Sequence, residues 1–203
     1  MKLSYVVTFA LITLALFTAA TSMAQVDHNE LGFYVDQEMS DTHVFATNYS
    51  TVTIHMIITH PFNEDLNQPV ESINGLEFSF SFPSGAAIVL TTNWENGDSA
   101  LDIAMEPNSH FIAWGEPLLN VNNAVYFGTK NILITTSTPF GVYLAPFSVP
   151  SIPGHMAFLE YNDFIIHPLY PTSGSYDAPV FGINTEIVAT EETTFGGLKA
   201  LFR

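Results

Sequence analysis

The stretch that decides the fold is Asn74-Gly75-Leu76-Glu77-Phe78-Ser79-Phe80-Ser81-Phe82. Its large apolar side chains recur at every second position, and small or acidic polar residues stand between them. Because successive side chains of a strand point to opposite faces, this alternation predicts a strand with one face in the core. The dipeptide Asn74-Gly75 that opens the stretch is a turn signal.

Runs of the same kind lie on both sides of this strand. Residues 51–59 alternate in the same way, and a longer apolar stretch over 125–134 is interrupted at Gly128, where we expect a bulge or tight bend. Shorter apolar runs predict strands at 33–35, 140–147, 156–161 and 183–188. Segments of this length with turn residues between them are typical of an antiparallel β-sandwich or a barrel.

The N-terminus has the pattern of a secretory signal helix. Lys2 precedes an uncharged run over residues 5–20, and Ser22-Met23-Ala24 supplies small residues for cleavage. The run is shorter than the roughly 20 residues of a membrane-spanning helix, which disfavours a permanent anchor. We therefore predict a signal peptide at 1–24, a secreted, extracellular or cell-surface location, and no membrane span after its removal.

The remaining chain is predicted to form one β-sandwich domain, residues 25–189, followed by a polar linker and a short tail over 190–203. The tail combines apolar residues at helical spacing with two basic residues, and its marked positions are Phe195, Gly196, Gly197, Lys199 and Arg203. Three interpretations stay open: the tail folds back on its acidic domain, it is an address tag, or it is a frayed end without a role.

Composition excludes several classes of protein. The chain has 203 residues, with 20 acidic residues against 4 basic ones and a formal charge of −16. A nucleic-acid binder needs a basic surface, so that class is excluded. No cysteine is present, which excludes disulfide scaffolds and cysteine–zinc modules. The 17 Phe and 8 Tyr argue against a disordered acidic chain.

Catalytic patterns are absent from the sequence. It contains no Gly-x-Ser-x-Gly elbow and no His-Glu-x-x-His motif. Glycosidases need two carboxylates about 5–10 Å apart, and residues such as Glu77 and Glu160 are candidates. With 20 acids on a small domain some pair falls at that distance by chance, so we expect no enzyme.

One loop suggests a cation site, and one aromatic residue suggests a sugar site. Five oxygen-bearing side chains surround Gly97, and hard cations such as Ca²⁺ take such ligands from loops: Asn93, Glu95, Asn96, Asp98 and Asp102. The competing interpretation is an ordinary solvated acidic turn. No other cofactor is expected. Trp94 lies in this polar loop, where an exposed ring could stack on a sugar. Trp114, in contrast, is predicted to be a core residue.

Two family resemblances follow from particular residues. The strand at 74–82 resembles one found in cohesin-like and carbohydrate-binding-module-like sandwiches; a jelly roll is a related alternative. The ending Phe195-Gly196-Gly197-Leu198-Lys199-Ala200-Leu201-Phe202-Arg203 resembles that of uncharacterised secreted bacterial proteins. Those proteins also share the segments at 32–36 and 171–180. The second resemblance implies a secreted bacterial β-domain and transfers no functional residue.

The leading hypothesis is a secreted, non-catalytic β-sandwich that acts in extracellular binding, adhesion or structure. A carbohydrate-binding module is the alternative, and an extracellular hydrolase is a third hypothesis of lower weight. The partner would be an extracellular glycan or protein, whose identity the sequence does not specify. Asn48-Tyr49-Ser50 is an acceptor for N-glycosylation in a host that glycosylates.

Overall fold

The computed structural model describes residues 28–103 and 108–187, which are almost entirely β. A single 3₁₀ turn, Gly97–Ser99, lies between the seventh and eighth strands. The strands are β1 Glu30–Tyr34, β2 His43–Val44, β3 Thr51–Thr59, β4 Phe62–Asn63, β5 Gln68–Pro69, β6 Ser72–Ser81, β7 Ala87–Trp94, β8 Ala100–Asp102, β9 Ser109–Leu119, β10 Ala124–Ile134, β11 Phe140–Ala145, β12 Met156–Glu160, β13 Ile166–Pro171 and β14 Phe181–Ile183.

The alternating stretch at 74–82 forms most of β6, which lies at the centre of the sheet. β6 pairs with β9 on one side and with β11 and β12 on the other. Leu76, Phe78 and Phe80 are buried, as the alternation predicted, and Phe82 is partly buried against the core. The prediction of one core-facing side is confirmed.

Twelve of the fourteen described strands form two layers with a continuous hydrogen-bonded path, and β4 and β5 pair separately with each other. The order runs β2-β14-β11-β6-β12-β13-β1-β3-β10-β7, and β9 and β8 extend it from the other side of β6. One layer contains β8, β9, β6 and β12, and the other contains β1, β3, β10 and β7. β13 links them, because it pairs with β12 and also runs parallel to β1.

Aromatic contacts join the two layers across the core. The Phe33 ring of β1 lies 6.2 Å from that of Phe80 in β6, and the Phe78 ring lies 5.8 Å from that of Phe127 in β10. All four side chains are at most 4% exposed. Large aromatic side chains contribute most of the burial energy of such a core. The all-β, sandwich-type fold predicted from the sequence is therefore confirmed.

Gly128 forms the bulge that the sequence indicated. The register of β10 against β3 shifts between Tyr126 and Gly128, and Gly128 has a φ of 146°. A Cβ built there would lie 2.3 Å from the carbonyl oxygen of Asn93 in the neighbouring β7. Glycine is required both by the backbone conformation and by this close approach.

Two details differ from the expected strand pattern. The final strand covers Phe181–Ile183 instead of 183–188, because Asn184 takes a positive φ and its side chain binds the amide of Ala46. Pairing is also not wholly antiparallel: β13 runs parallel to β1, and β14 runs parallel to β2. The predicted signal peptide at 1–24 lies outside the described residues. Within the described ranges no helix is long and apolar enough to cross a membrane.

Candidate functional site

An apolar row crosses the outer face of the first layer. Leu101 of β8 pairs with Ala113 of β9, Ala113 with Gly75 of β6, Gly75 with Leu159 of β12, and Leu159 with Ile166 of β13. We call these five residues the apolar strip. Adjacent strands are about 4.8 Å apart, so the strip is about 19 Å long. Leu101 is 62% exposed and Ile166 is 47% exposed.

Gly75 keeps the strip continuous. A Cβ at this position would lie 2.9 Å from the Cβ of Leu159, so the absence of a side chain lets Leu159 lie across the centre of the row. The surface forms a shallow groove of about 160 Å³, which is lined by residues of β6, β9, β12 and β13 and by Ser151. The side-chain oxygen of Asn74 is buried beside this groove and has no hydrogen-bond partner in the structure.

The neighbouring row is also free of exposed charge. Ile103 follows β8 and is 55% exposed, and its amide donates to the carbonyl of Phe111. Glu77 lies beside Phe111 but is only 3% exposed. Its carboxylate accepts hydrogen bonds from the amide and the hydroxyl of Ser151, at 2.6 and 2.9 Å. The one acid of this row is therefore hidden under a loop.

The outer face of the opposite layer is polar at its centre, although Ile88 and Leu90 of its edge strand β7 are 54% and 51% exposed. Thr53 donates to Asn131 at 2.7 Å, Asn131 donates to Thr91 at 2.9 Å, and Asn93 donates to Thr129 at 3.4 Å. These side chains satisfy one another across β3, β10 and β7. The centres of the two outer faces thus differ in chemistry: the first carries an apolar row across its strands, and exposed apolar surface of this kind is the usual mark of an interaction site.

A chain of hydrogen bonds lies between the layers, behind the apolar strip. Nζ of Lys130 donates to Thr92 at 3.0 Å and lies 2.8 Å from Nε2 of His110, and Nδ1 of His110 lies 2.6 Å from Oδ2 of Asp102. A charged lysine amine has no lone pair and can only donate, so Nε2 of His110 accepts from it and Nδ1 carries the proton donated to Asp102. We call Asp102, His110 and Lys130 the relay.

Burial lowers the pKa values of both bases of the relay, and the charge of Lys130 adds to the shift of His110. Lys130 is 1% exposed and lies 4.3 Å from the centre of the Phe80 ring. Burial lowers the pKa of Lys130 to about 7, although the charge of Asp102 opposes the shift. Burial, followed by the charge of Lys130, lowers the pKa of His110 to about 4. Asp102 stands at the solvent end, with its side chain 25% exposed.

A second buried polar cluster joins the β12–β13 hairpin to β4. Oε2 of Glu160 accepts from the side-chain amide of Asn63 at 2.8 Å and lies 3.0 Å from Nε2 of His167. All three residues are at most 5% exposed. Glu77 is likewise bound to Ser151. Both glutamates that were candidates for a glycosidase pair, Glu77 and Glu160, are therefore engaged in structural hydrogen bonds. No catalytic pair is formed by these two residues.

The sequence-predicted sugar platform has a different environment from the one expected. Trp94 is half-buried, and its ring lies 6.4 Å from Phe127, 5.1 Å from His110 and 6.4 Å from Trp114. It packs against the core instead of standing exposed in a polar loop, because it follows the inward direction of β7. Trp114 is buried, as predicted, and donates to the carbonyl of Glu95 at 2.8 Å.

The predicted calcium ligands are not gathered by the contacts of this structure. Asn93 bonds to Thr129 on one outer face, while Asp102 bonds to His110 towards the interior. Asn96 has a positive φ and caps the 3₁₀ turn that contains Asp98. Among residues 28–103 and 108–187 no group of three or more His, Asp or Glu side chains could hold a metal. A calcium site using Glu95 and its neighbours stays a prediction, which melting in calcium and in chelator would test.

Sequence reasoning missed the relay. Lys130 lies at alternate positions with Ile132 and Ile134 in β10, which indicates that it points to the same, inward side. Lysines are mostly exposed, however, so the sequence alone predicts an exposed side chain there. The Asp102–His110 pair could not be read from spacing, because it depends on β8 pairing with β9. The marked tail positions Phe195, Gly196, Gly197, Lys199 and Arg203 lie outside the described residues.

The fold is similar to solved cohesin modules. A type II cohesin domain from the cellulosome of Acetivibrio cellulolyticus aligns with a TM-score of 0.51 and 12% identity, over 79% of this chain and 96% of that one. The sixth cohesin of scaffoldin B from Acetivibrio cellulolyticus, solved in complex with a mutant dockerin, aligns with a TM-score of 0.50 and 9% identity, over 79% and 100%. Identities this low show the fold alone.

The cohesin-like resemblance drawn from the strand at 74–82 is thereby confirmed at the level of the fold. No protein-family model matches this chain, and no curated protein matches it significantly. The resemblance to uncharacterised secreted bacterial proteins stays a prediction.

Proposed function

We propose that this chain is a secreted, non-catalytic module that binds a protein partner through the apolar strip. The observation that carries the proposal is the contrast between the two outer faces. One face exposes Leu101 and Ile166 at the ends of a continuous apolar row, and the other satisfies its Thr and Asn side chains internally. A row of apolar side chains that crosses an exposed sheet face marks a site for another macromolecule.

The charge distribution supports this choice. The described residues contain 16 of the 20 acidic residues and only one lysine. The four acidic residues outside them are Asp27, Glu106, Glu191 and Glu192. The strip carries no acidic residue. The centres of protein–protein interfaces are depleted in charged residues, while their rims are polar. A charge-free row on so acidic a domain fits that composition.

Two further features fit a protein ligand. A row about 19 Å long matches about 13 residues of an α-helix lying across the strands. One of the cohesins with this fold was solved in complex with a dockerin, so the scaffold is compatible with binding a protein module.

Site-specific photocrosslinking tests the proposal. A photoreactive phenylalanine placed at Ala113, in the middle of the strip, should crosslink a discrete protein in the producing cells or their medium. The same group at Thr53, in the middle of the polar face, is the matched control and should give no such product. Both positions are exposed, so both variants are expected to fold.

A second substitution separates specific docking from general stickiness. Ile166→Glu places a charge at one end of the strip and should abolish the crosslink from position 113. The matched change Ile88→Glu lies on the edge strand β7, is similarly exposed, and should leave it intact. A product from position 53 alone, or a product insensitive to Ile166→Glu, would show that the strip is not the docking surface.

Secretion belongs to the same proposal and has its own test. It rests on the signal-peptide pattern at 1–24 and on the resemblance to secreted proteins. Intact-mass measurement of the exported protein should show an N-terminus at Gln25. Deletion of 194–203 then distinguishes the interpretations of the tail: a lower Tm indicates that it folds back, and lost export or surface display at unchanged Tm indicates an address tag.

A further inference from the structure

The strand β8 at the edge of the apolar strip has little to hold it in place. In the part of the chain that the structure describes, it is three residues long, pairs only with β9 and contains no buried residue. Ala100 packs partly against the core, whereas Leu101 is largely exposed. A short edge strand without a buried apolar side chain is expected to open easily.

Asp102 supplies the missing anchor. Its carboxylate binds His110 of β9 at 2.6 Å, and His110 in turn binds Lys130 of β10 at 2.8 Å. Lys130 is fixed by Thr92 of β7 and by the ring of Phe80. The relay therefore ties β8 to strands of both layers through charge-assisted hydrogen bonds, which are stronger than neutral ones.

The same strand carries the edge of the docking surface. Leu101 and Ile103 flank Asp102 and are 62% and 55% exposed on the outer face. Successive strand residues point to opposite sides, so an inward anchor at Asp102 sets the position of its two outward neighbours. Any change that frees Asp102 therefore reaches the apolar strip directly.

We propose that the relay is an internal clamp that positions β8, and with it the Leu101 end of the apolar strip, and that acid releases it. This inference rests on the proposed function of the strip. The groups that face His110 are Asp102 from β8, Lys130 from β10 and the neutral rings of Phe78, Phe80 and Trp94 from β6 and β7. The hydroxyl of Thr92 in β7 faces Lys130.

Protonation of His110 breaks its link to Lys130, which ties β8 and β9 to the second layer, while the hydrogen bond from Nδ1 to Asp102 is kept. Nε2 of the neutral ring accepts a hydrogen bond from Lys130, but the protonated ring has only donors. Two buried cations would then face each other at 2.8 Å. Burial and Lys130 keep the pKa of His110 near 4, so the clamp stays closed at neutral pH and opens in acid.

Amide exchange on the full chain tests the positioning role. Asp102→Ala should lower the protection of the amides at 101–103 at pH 7 by about tenfold or more, with the β6 amides unchanged. Asp98→Ala, in the preceding 3₁₀ turn, is the matched control and should leave them unchanged. Asp102→Asn keeps an oxygen that can accept from His110 and should restore part of the protection.

Tryptophan fluorescence tests the acid release, since both tryptophans of the chain lie beside the relay. The wild type should show a transition near pH 4. Lys130→Met removes the positive charge beside His110, so the transition should move upward in pH. Unchanged protection at 101–103 in Asp102→Ala, or an unmoved transition in Lys130→Met, would overturn the clamp.

The crosslink from position 113 links the clamp to docking. Its yield should fall in Asp102→Ala, and a yield equal to that of the starting variant would refute control of the strip by the relay. If position 113 gives no crosslink in any background, the docking proposal has failed. The exchange and fluorescence measurements then still decide whether the clamp exists.

Discussion

Nζ of Lys130 lies 2.8 Å from Nε2 of His110. Lys130 is the only lysine or arginine among residues 28–103 and 108–187. Burying a charged amine beside a neutral ring costs free energy, because the charge loses its hydration. The lysine is retained at 1% exposure against that cost. Its measurable consequence is a particular dependence of stability on pH.

The first prediction concerns alkaline pH. Burial lowers the pKa of Lys130 to about 7 from 10.5, so between these values the unfolded chain holds a proton that the native state has lost. Stability therefore rises with pH across this window. From pH 7 to 9.5 the contribution amounts to about 3 kcal/mol. Urea unfolding of the wild type should show this rise.

Lys130→Met is the control for that rise. It replaces the amine by an apolar side chain of similar length, so the increase between pH 7 and 9.5 should largely disappear. The window ends below the pKa of Tyr34, which burial raises to about 12. Parallel pH profiles for the two proteins would contradict the lowered pKa of Lys130.

The second prediction concerns the central strand. Phe80 is 4% exposed, packs on Phe33 and covers Lys130. Phe80→Ala should reduce the free energy of unfolding by about 3–5 kcal/mol. Phe82→Ala, two residues further on the same face but only partly buried, should cost less than about 2 kcal/mol. Equal losses for the two variants would mean that the end of β6 is packed differently from the structure.

The sequence predicted the hydrophobic half of this fold well. Period-two alternation identified the buried faces of β3 and β6, and the glycine at position 128 identified the bulge in β10. These features depend on local pattern and on backbone geometry, which a sequence shows directly. Trp114 was assigned to the core for the same reason.

The polar half could not be predicted in the same way. Lys130, Glu77 and Glu160 are all buried, although residues of these types are mostly exposed. Their burial depends on partners that come from distant parts of the chain, such as Ser151 for Glu77 and Asn63 for Glu160. The apolar strip depends on register between five strands, so it also emerges only from the assembled sheet.

The third prediction concerns the bulge at Gly128. Alanine there would combine a φ of 146° with a Cβ only 2.3 Å from the carbonyl oxygen of Asn93. We expect Gly128→Ala to destabilise the domain by about 3 kcal/mol or more in chemical denaturation. Gly85 also has a positive φ, but a Cβ there meets nothing within 4 Å.

Gly85→Ala is thus a matched control that isolates the backbone effect. It should cost about 1 kcal/mol, since only the unfavourable φ is involved. The excess loss in Gly128→Ala measures the contact with β7. If the two glycines prove equally sensitive, the close approach of Asn93 to Gly128 is incorrect.

The fourth prediction concerns the buried acid of the β12–β13 hairpin. Oε2 of Glu160 receives hydrogen bonds from Asn63 and His167, and the carboxylate is 2% exposed. Glu160→Gln keeps the shape but removes the negative charge, so the hydrogen bonds from Asn63 and His167 lose their charge assistance, and an NH₂ group is buried in the cluster. A buried polar group left unsatisfied costs about 1–3 kcal/mol. We therefore expect a loss of that size in the free energy of unfolding, measured by urea titration at pH 7.

Glu71→Gln is the matched control, because Glu71 is exposed and accepts only a 3.3 Å bond from Asn162. That change should alter stability by less than about 0.5 kcal/mol. A Glu160→Gln protein as stable as the control would show that Asn63 and His167 do not depend on the charge of Glu160.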